Sequence, residues 1–135
     1  MLGGQRFEAT VIEADAWGIM SAYNRLDGEH CAHHHRLLSE ILRDEWGFDG
    51  FVVSDWDGAH DTVGAISGGL TVAMPGPETI FGEPLAEAVR DGRASEADVD
   101  ARVAEVVRLI GRTRAVERPA YGPQLSVDDP DEREL

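Results

Sequence analysis

The apolar positions along the chain change period several times, and each change predicts an element. Phe7, Val11 and Ile12 share one face at helical spacing, with Ala14 nearby, so residues 7–16 read as a helix. Gly18-Ile19-Met20-Ser21-Ala22-Tyr23 then reads as a short strand. Residues 24–32 read as a loop, with Asp27-Gly28 as a turn signal. Leu37, Leu38, Ile41 and Leu42 repeat at helical spacing and predict a helix over residues 33–46, where Gly47 fits a left-handed C-terminal cap. Gly50-Phe51-Val52-Val53-Ser54-Asp55-Trp56 is the most telling stretch: a short apolar run behind a glycine, running into a carboxylate and an aromatic ring. It predicts a buried strand over residues 51–54.

Further on, residues 61–67 read as a helix ended by Gly68-Gly69, and residues 70–73 as a third strand stopped by Met74-Pro75-Gly76-Pro77. Residues 84–91 form a short helix. Ser95 opens the last one, with Asp98 as a capping-box variant and Val99, Val103, Val106 and Ile110 as its apolar stripe. After Pro119 the chain turns polar and acidic, with Pro123 and Pro130, so residues 1–118 read as the folded unit and 119–135 as a linker or disordered tail.

Strands that alternate with helices make an α/β protein with a parallel sheet and right-handed crossovers. Parallel strands need both faces covered, and a closed eight-stranded barrel takes about 250 residues, so this pattern reads as part of something larger. In barrels and open α/β sheets, chemistry sits at the C-terminal ends of the strands. Asp55 stands at such an end.

Composition narrows the function classes. With 42% hydrophobic and 28% charged residues the chain is globular in type. It has no run of 18 apolar residues, so no transmembrane helix is expected. Met1-Leu2-Gly3-Gly4-Gln5-Arg6 lacks the basic start and apolar stretch of a signal peptide. Net charge is 12 − 26 = −14, concentrated over residues 83–100 and from Asp128 onward. That argues against nucleic acid or an anionic membrane as partner. The single Cys31 cannot make an intrachain disulfide and indicates no compartment. His30, Cys31, His33, His34 and His35 look metal-like, yet their spacing fits no standard zinc pattern and a helix begins inside it. They read as a water-exposed helix start, with no metal expected. Asp27, Asp57 and Asp61 read as solvated or capping loop acids.

Three blocks carry a resemblance. They are residues 20–28 (Met-Ser-Ala-Tyr-Asn-Arg-Leu-Asp-Gly), residues 38–56 ending in Val52-Val53-Ser54-Asp55-Trp56, and Ala73-Met74-Pro75-Gly76. In this order they resemble family-three glycoside hydrolases of the β-glucosidase type, over roughly residues 5–115. The resemblance implies a (β/α)8 TIM barrel, of which the strands here would be the sixth, seventh and eighth. This chain would then be a partial barrel, with a C-terminal helix and a tail where a second domain begins. The implied reaction is hydrolysis of terminal β-linked sugars through a covalent glycosyl-enzyme, with no cofactor and a small-molecule glycoside or oligosaccharide as substrate.

Such retaining enzymes place two carboxyl groups about 5–5.5 Å apart. The match makes Asp55 the nucleophile, and Tyr23 a lining residue of the subsite that holds the cleaved sugar. Trp56 offers a flat apolar face to a sugar ring, and Met74 is a further substrate contact or a rim-packing residue. Met20 reads as barrel core, and Ser54 as a support for its loop.

The family often has Gly-Leu-Asp-Leu-Glu-Met-Pro-Gly where this chain has Gly69-Leu70-Thr71-Val72-Ala73-Met74-Pro75-Gly76. Thr71 can still donate and accept. No residue here matches the family's upstream sugar-binding elements or its acid/base, which comes from the second domain. Three readings stay open. One is a glycosidase part bearing the nucleophile. Another is a non-catalytic or partner-dependent fragment whose open strand edges self-associate or pair with a complementary fragment. The third is β-xylosidase specificity within the same family, since a few kcal/mol of differential contact would switch it.

Overall fold

The computed structural model describes residues 2–77 and 80–117. The predicted tail over residues 119–135 lies outside them. Helix α1 (Leu2–Ile12) leads to strand β1 (Gly18–Met20), the short strands β2 (Arg25–Leu26) and β3 (Glu29–His30), and a 3-10 turn at Cys31–His33. Helix α2 (Arg36–Glu45), strand β4 (Phe51–Val53) and helices α3 (Thr62–Gly68), α4 (Glu83–Arg90) and α5 (Glu96–Thr113) follow. Among the described residues no helix is long and apolar enough to cross a membrane.

The central pairing is parallel, with Gly18, Ile19 and Met20 of β1 beside Phe51, Val52 and Val53 of β4. Gly50 lets the strands start this close, because a Cβ there would run into the Trp17 carbonyl and the Phe48 ring. The third predicted strand is reduced to one parallel bridge between Val53 and Val72. The cause is a side chain. Val52 N–H donates to Thr71 Oγ1 at 2.9 Å instead of to a backbone carbonyl. The N–H groups of Thr71 and Val72 both converge on the Val52 carbonyl. One hydroxyl therefore stops the ladder from lengthening.

Residues 24–32 are more ordered than a loop. β2 and β3 pair antiparallel, Arg25 with His30 and Leu26 with Glu29. Asp27 and Gly28 take φ of 52° and 90°, the positive pair that a two-residue hairpin turn requires. The next helix starts later than residue 33, at Arg36, and has π geometry, with Trp46 N–H donating to the Ile41 carbonyl five residues back. Gly47 closes it at φ 71°.

Val11, Ala32, Leu38, Leu42, Phe48, Val52, Ala65 and Leu70 make the core, between α2, α3 and the sheet. Two amphipathic expectations need correction. In α1 only Val11 of the predicted face is buried, while Phe7 and Ile12 are exposed. In α5 the predicted stripe is split: Val99 and Val106 are half-buried, whereas Val103 is 53% exposed and Ile110 is also exposed. The helix turns Glu105 inward instead. Arg43 of α2 donates through Nε and Nη2 to the two Glu105 oxygens, each at 3.0 Å. Arg102 reaches the same carboxylate at 3.0 Å. Thr71 Oγ1 donates to it at 2.5 Å. A paired, multiply hydrogen-bonded carboxylate is tolerated inside where a lone one is not. Burial among these cations holds the Arg102 pKa below its ordinary value, and the nearby Arg43 adds to the effect.

Candidate active site

The site grows from the C-terminal end of β4. Ser54 is buried; its N–H donates to the Val72 carbonyl at 2.9 Å, and its hydroxyl accepts the Met74 N–H at 2.8 Å. Ser54 thus binds the loop after the third segment to the loop that carries Asp55. Asp57, at φ 57°, and Gly58 turn the chain sharply, with Gly58 N–H donating to the Asp55 carbonyl at 2.9 Å. Asp57 N–H donates to the Met74 carbonyl at 2.9 Å, a second tie between the same two loops.

Tyr23 arrives from the neighbouring strand. Ser21 N–H donates to the Val53 carbonyl at 2.8 Å, extending the parallel pairing just past β1. Two residues later the Tyr23 hydroxyl donates to Asp55 Oδ1 at 2.9 Å. Trp56 N–H donates to the same oxygen at 2.7 Å. Among the described residues nothing donates to Asp55 Oδ2. One carboxylate oxygen is pinned and the other is open.

The bond to Asp55 raises the Tyr23 pKa above its ordinary value, because ionisation would destroy it. Lost hydration and the charges of Asp55 and Asp57 push the same way, and a backbone bond at Trp56 pushes back. Tyr23 therefore remains a donor around neutral pH.

The predicted residues are not equally engaged. Tyr23 and Asp55 meet directly. The Trp56 ring is exposed beside them, with 58% of the residue open to solvent. Met74 joins them through its backbone, and its side chain lines a cavity of about 310 Å³ with Asp57, Thr62 and Ile80. Met20, read as barrel core, is 59% exposed. Alternation along β1 turns Ile19 and Ser21 toward the helix layer and Met20 to the opposite face, where it stays exposed among the described residues.

The histidine-rich segment also departs from expectation, since Cys31, His33 and His34 are buried rather than water-exposed. Their rings are used locally. His34 Nδ1 accepts the Leu37 N–H at 3.2 Å, at the start of α2. His33 Nε2 accepts both the His60 and Asp61 N–H groups, at 2.9 and 3.2 Å. Among the described residues no group of three or more His, Cys, Asp or Glu is arranged to hold a metal ion. Sequence reasoning missed the His33 contact and the Glu105 seam. The only hint of the latter was the replacement of strand acids by Thr71 and Ala73.

The sequence model of the glycosyl hydrolase family 3 N-terminal domain matches residues 3–109. The chain belongs to glycosyl hydrolase family 3. Within the family it is 40% identical over 129 residues to a β-glucosidase of Rhizobium radiobacter, covering 96% of this chain and 16% of that protein. It is 43% identical over 109 residues to an exo-α-(1→6)-L-arabinopyranosidase of Bifidobacterium breve, covering 81% of this chain and 14% of that protein. Its fold matches the crystal structure of a family 3 β-glucosidase of Bifidobacterium adolescentis with a TM-score of 0.76 at 38% identity. That match covers 91% of this chain and 17% of the other. These neighbours bear out the α/β fold and the resemblance to β-glucosidases. The chain spans 14% to 17% of the length of these relatives.

Proposed function

We propose that this chain carries the nucleophile of a retaining glycosidase, with Asp55 attacking the anomeric carbon of a terminal sugar. The observation that supports it most is the asymmetry of the Asp55 carboxylate. Tyr23 and the Trp56 N–H fix Oδ1, which orients the group, while Oδ2 stays open to an incoming sugar. The exposed Trp56 ring fits a stacking surface for that sugar, and Met74 flanks it through the Ser54 tie. The substrate class is a small glycoside or oligosaccharide. β-Glucoside is favoured by the β-glucosidase relatives, and the arabinopyranosidase relative marks how readily the sugar could differ. No cofactor or metal takes part in this reading.

The parallel segments at residues 18–20, 51–53 and 72 are taken as part of a (β/α)8 barrel. A second reading concerns the chain by itself, as a partner-dependent unit. It is favoured by Met20, Tyr23 and Trp17, which are all exposed along one strand and its lead-in. A complementary polypeptide that supplies the adjoining strand would cover them, and the acid/base would come from that partner.

The test is covalent trapping. An activated 2-fluoro glycoside with a dinitrophenolate leaving group needs no acid assistance to depart. Incubated with the chain in complex with such a complementary polypeptide and analysed by peptide mass spectrometry, it should label Asp55. Label on any other residue, or no label in that complex, overturns the assignment.

A further inference from the structure

Three imidazoles gather behind the Asp55 loop. The His30 and His60 rings lie 4.6 Å apart between centroids, His30 and His33 5.7 Å, and His33 and His60 6.2 Å. Only His33 is buried, and only its Nε2 accepts from backbone, taking the His60 and Asp61 N–H groups together. Those two amides sit where the loop from Asp55 becomes helix α3. Asp61 is the N-cap of that helix and accepts the Gly64 N–H at 3.0 Å. The contact is also tight on its far side, because a Cβ at Gly68 of α3 would run into the His33 carbonyl. A nitrogen that accepts two N–H donors carries no proton, so the ring is neutral with its proton on Nδ1.

We propose that His33 is a positioning residue whose neutral ring latches the residue 55–61 loop onto the Cys31–His33 turn, and that protonating the ring releases the latch. A protonated Nε2 would point a third donor at two donors. The charge would also sit in a buried pocket beside two other imidazoles. Asp61 and Glu29 face the ring with the opposite sign, and α3 itself presents no charged side chain between Thr62 and Gly68. Burial outweighs the two acids and lowers the His33 pKa from its ordinary value of about 6.5. The unfolded or released loop binds the proton more readily, so the latch is complete above about pH 6.5 and fails as pH falls through the lowered value. The loop carries Asp55 whether or not that residue is a nucleophile, so the test reads the loop and not glycoside cleavage.

The experiment is NMR on the chain labelled with nitrogen-15. At neutral pH the His33 ring should show an unprotonated Nε2 and a protonated Nδ1. Amide exchange at His60 and Asp61, corrected for its intrinsic pH dependence and referenced to Val52, should quicken about tenfold between about pH 7.5 and about pH 5. His33→Gln places an amide oxygen near the same point without a titrating nitrogen, and its exchange ratio should stay flat. A protonated Nε2 at neutral pH, a flat ratio in the native chain, or a pH-dependent ratio in His33→Gln would each overturn the latch.

Discussion

Replacing Glu105 with Gln isolates the buried charged seam. The carboxylate is only 7% exposed as a side chain, and its partners Arg43 and Arg102 are 13% and 15% exposed, so solvent screens the pair weakly. Gln keeps the volume and one acceptor oxygen but removes the charge. Two guanidinium groups then remain buried with one neutral acceptor between them, and Thr71 loses a charged acceptor. Deleting one partner of a buried ion pair costs about 3–5 kcal/mol. The retained oxygen places Glu105→Gln at the lower end, about 3 kcal/mol, which is a large share of the roughly 5–15 kcal/mol that holds a typical domain together. Urea unfolding followed by tryptophan fluorescence would measure it, since Trp46 is half-buried beside the core. A second variant separates the stranded charges from the lost contact. Changing Glu105 to Leu together with Arg43 and Arg102 to Met removes the stranded charges as well, and should recover about half of the loss or more. A loss below about 1 kcal/mol for Glu105→Gln would mean that the seam behaves as an exposed ion pair, and would refute the argument.

Two further outcomes follow from the site and its supporting helix. Tyr23→Phe removes one of two donors to Asp55 Oδ1 and should slow covalent trapping at Asp55 about tenfold; an unchanged rate would show that the Trp56 N–H suffices. Asp61→Ala removes the α3 N-cap and should cost about 1 kcal/mol in the same urea assay, with no cost if water replaces the carboxylate.

Local chemistry was legible in the sequence where neighbouring residues decide it. Asp55 sits at the end of a strand because Phe51, Val52 and Val53 have nowhere to go but a sheet. Gly47 and Gly69 stop their helices at positive φ, and Ser95 caps α5 by accepting the Ala97 N–H. The failures share a different cause. Periodicity finds an apolar stripe but not its partner, so it points Val103 and Ile110 inward although α5 rotates to bring Glu105 to Arg43, 62 residues away. The short third strand was hidden for the same reason, since its limit is set by a hydroxyl bond between Thr71 and Val52, 19 residues apart. His33 reads as a solvated ring because the two N–H groups that donate to its Nε2 lie 27 and 28 residues on. The Tyr23–Asp55 contact could be anticipated because parallel neighbours bring their C-terminal ends to one side.

Thr71 has a consequence for alignment. In a buried parallel segment a slip by one residue turns every side chain to the other face, so register is set by which side chains belong inside. Here the third segment is keyed rather than zipped. The same hydroxyl holds Val52 on one side and Glu105 on the other, and only Thr71 can do both. A slip in either direction would put Leu70 or Val72 in its place, forfeiting both bonds at once and leaving a buried carboxylate short of a donor. The Thr71 hydroxyl thus adds its own penalty against alternative registers, and the loop bearing Met74 meets the Asp55 loop at a single fixed offset.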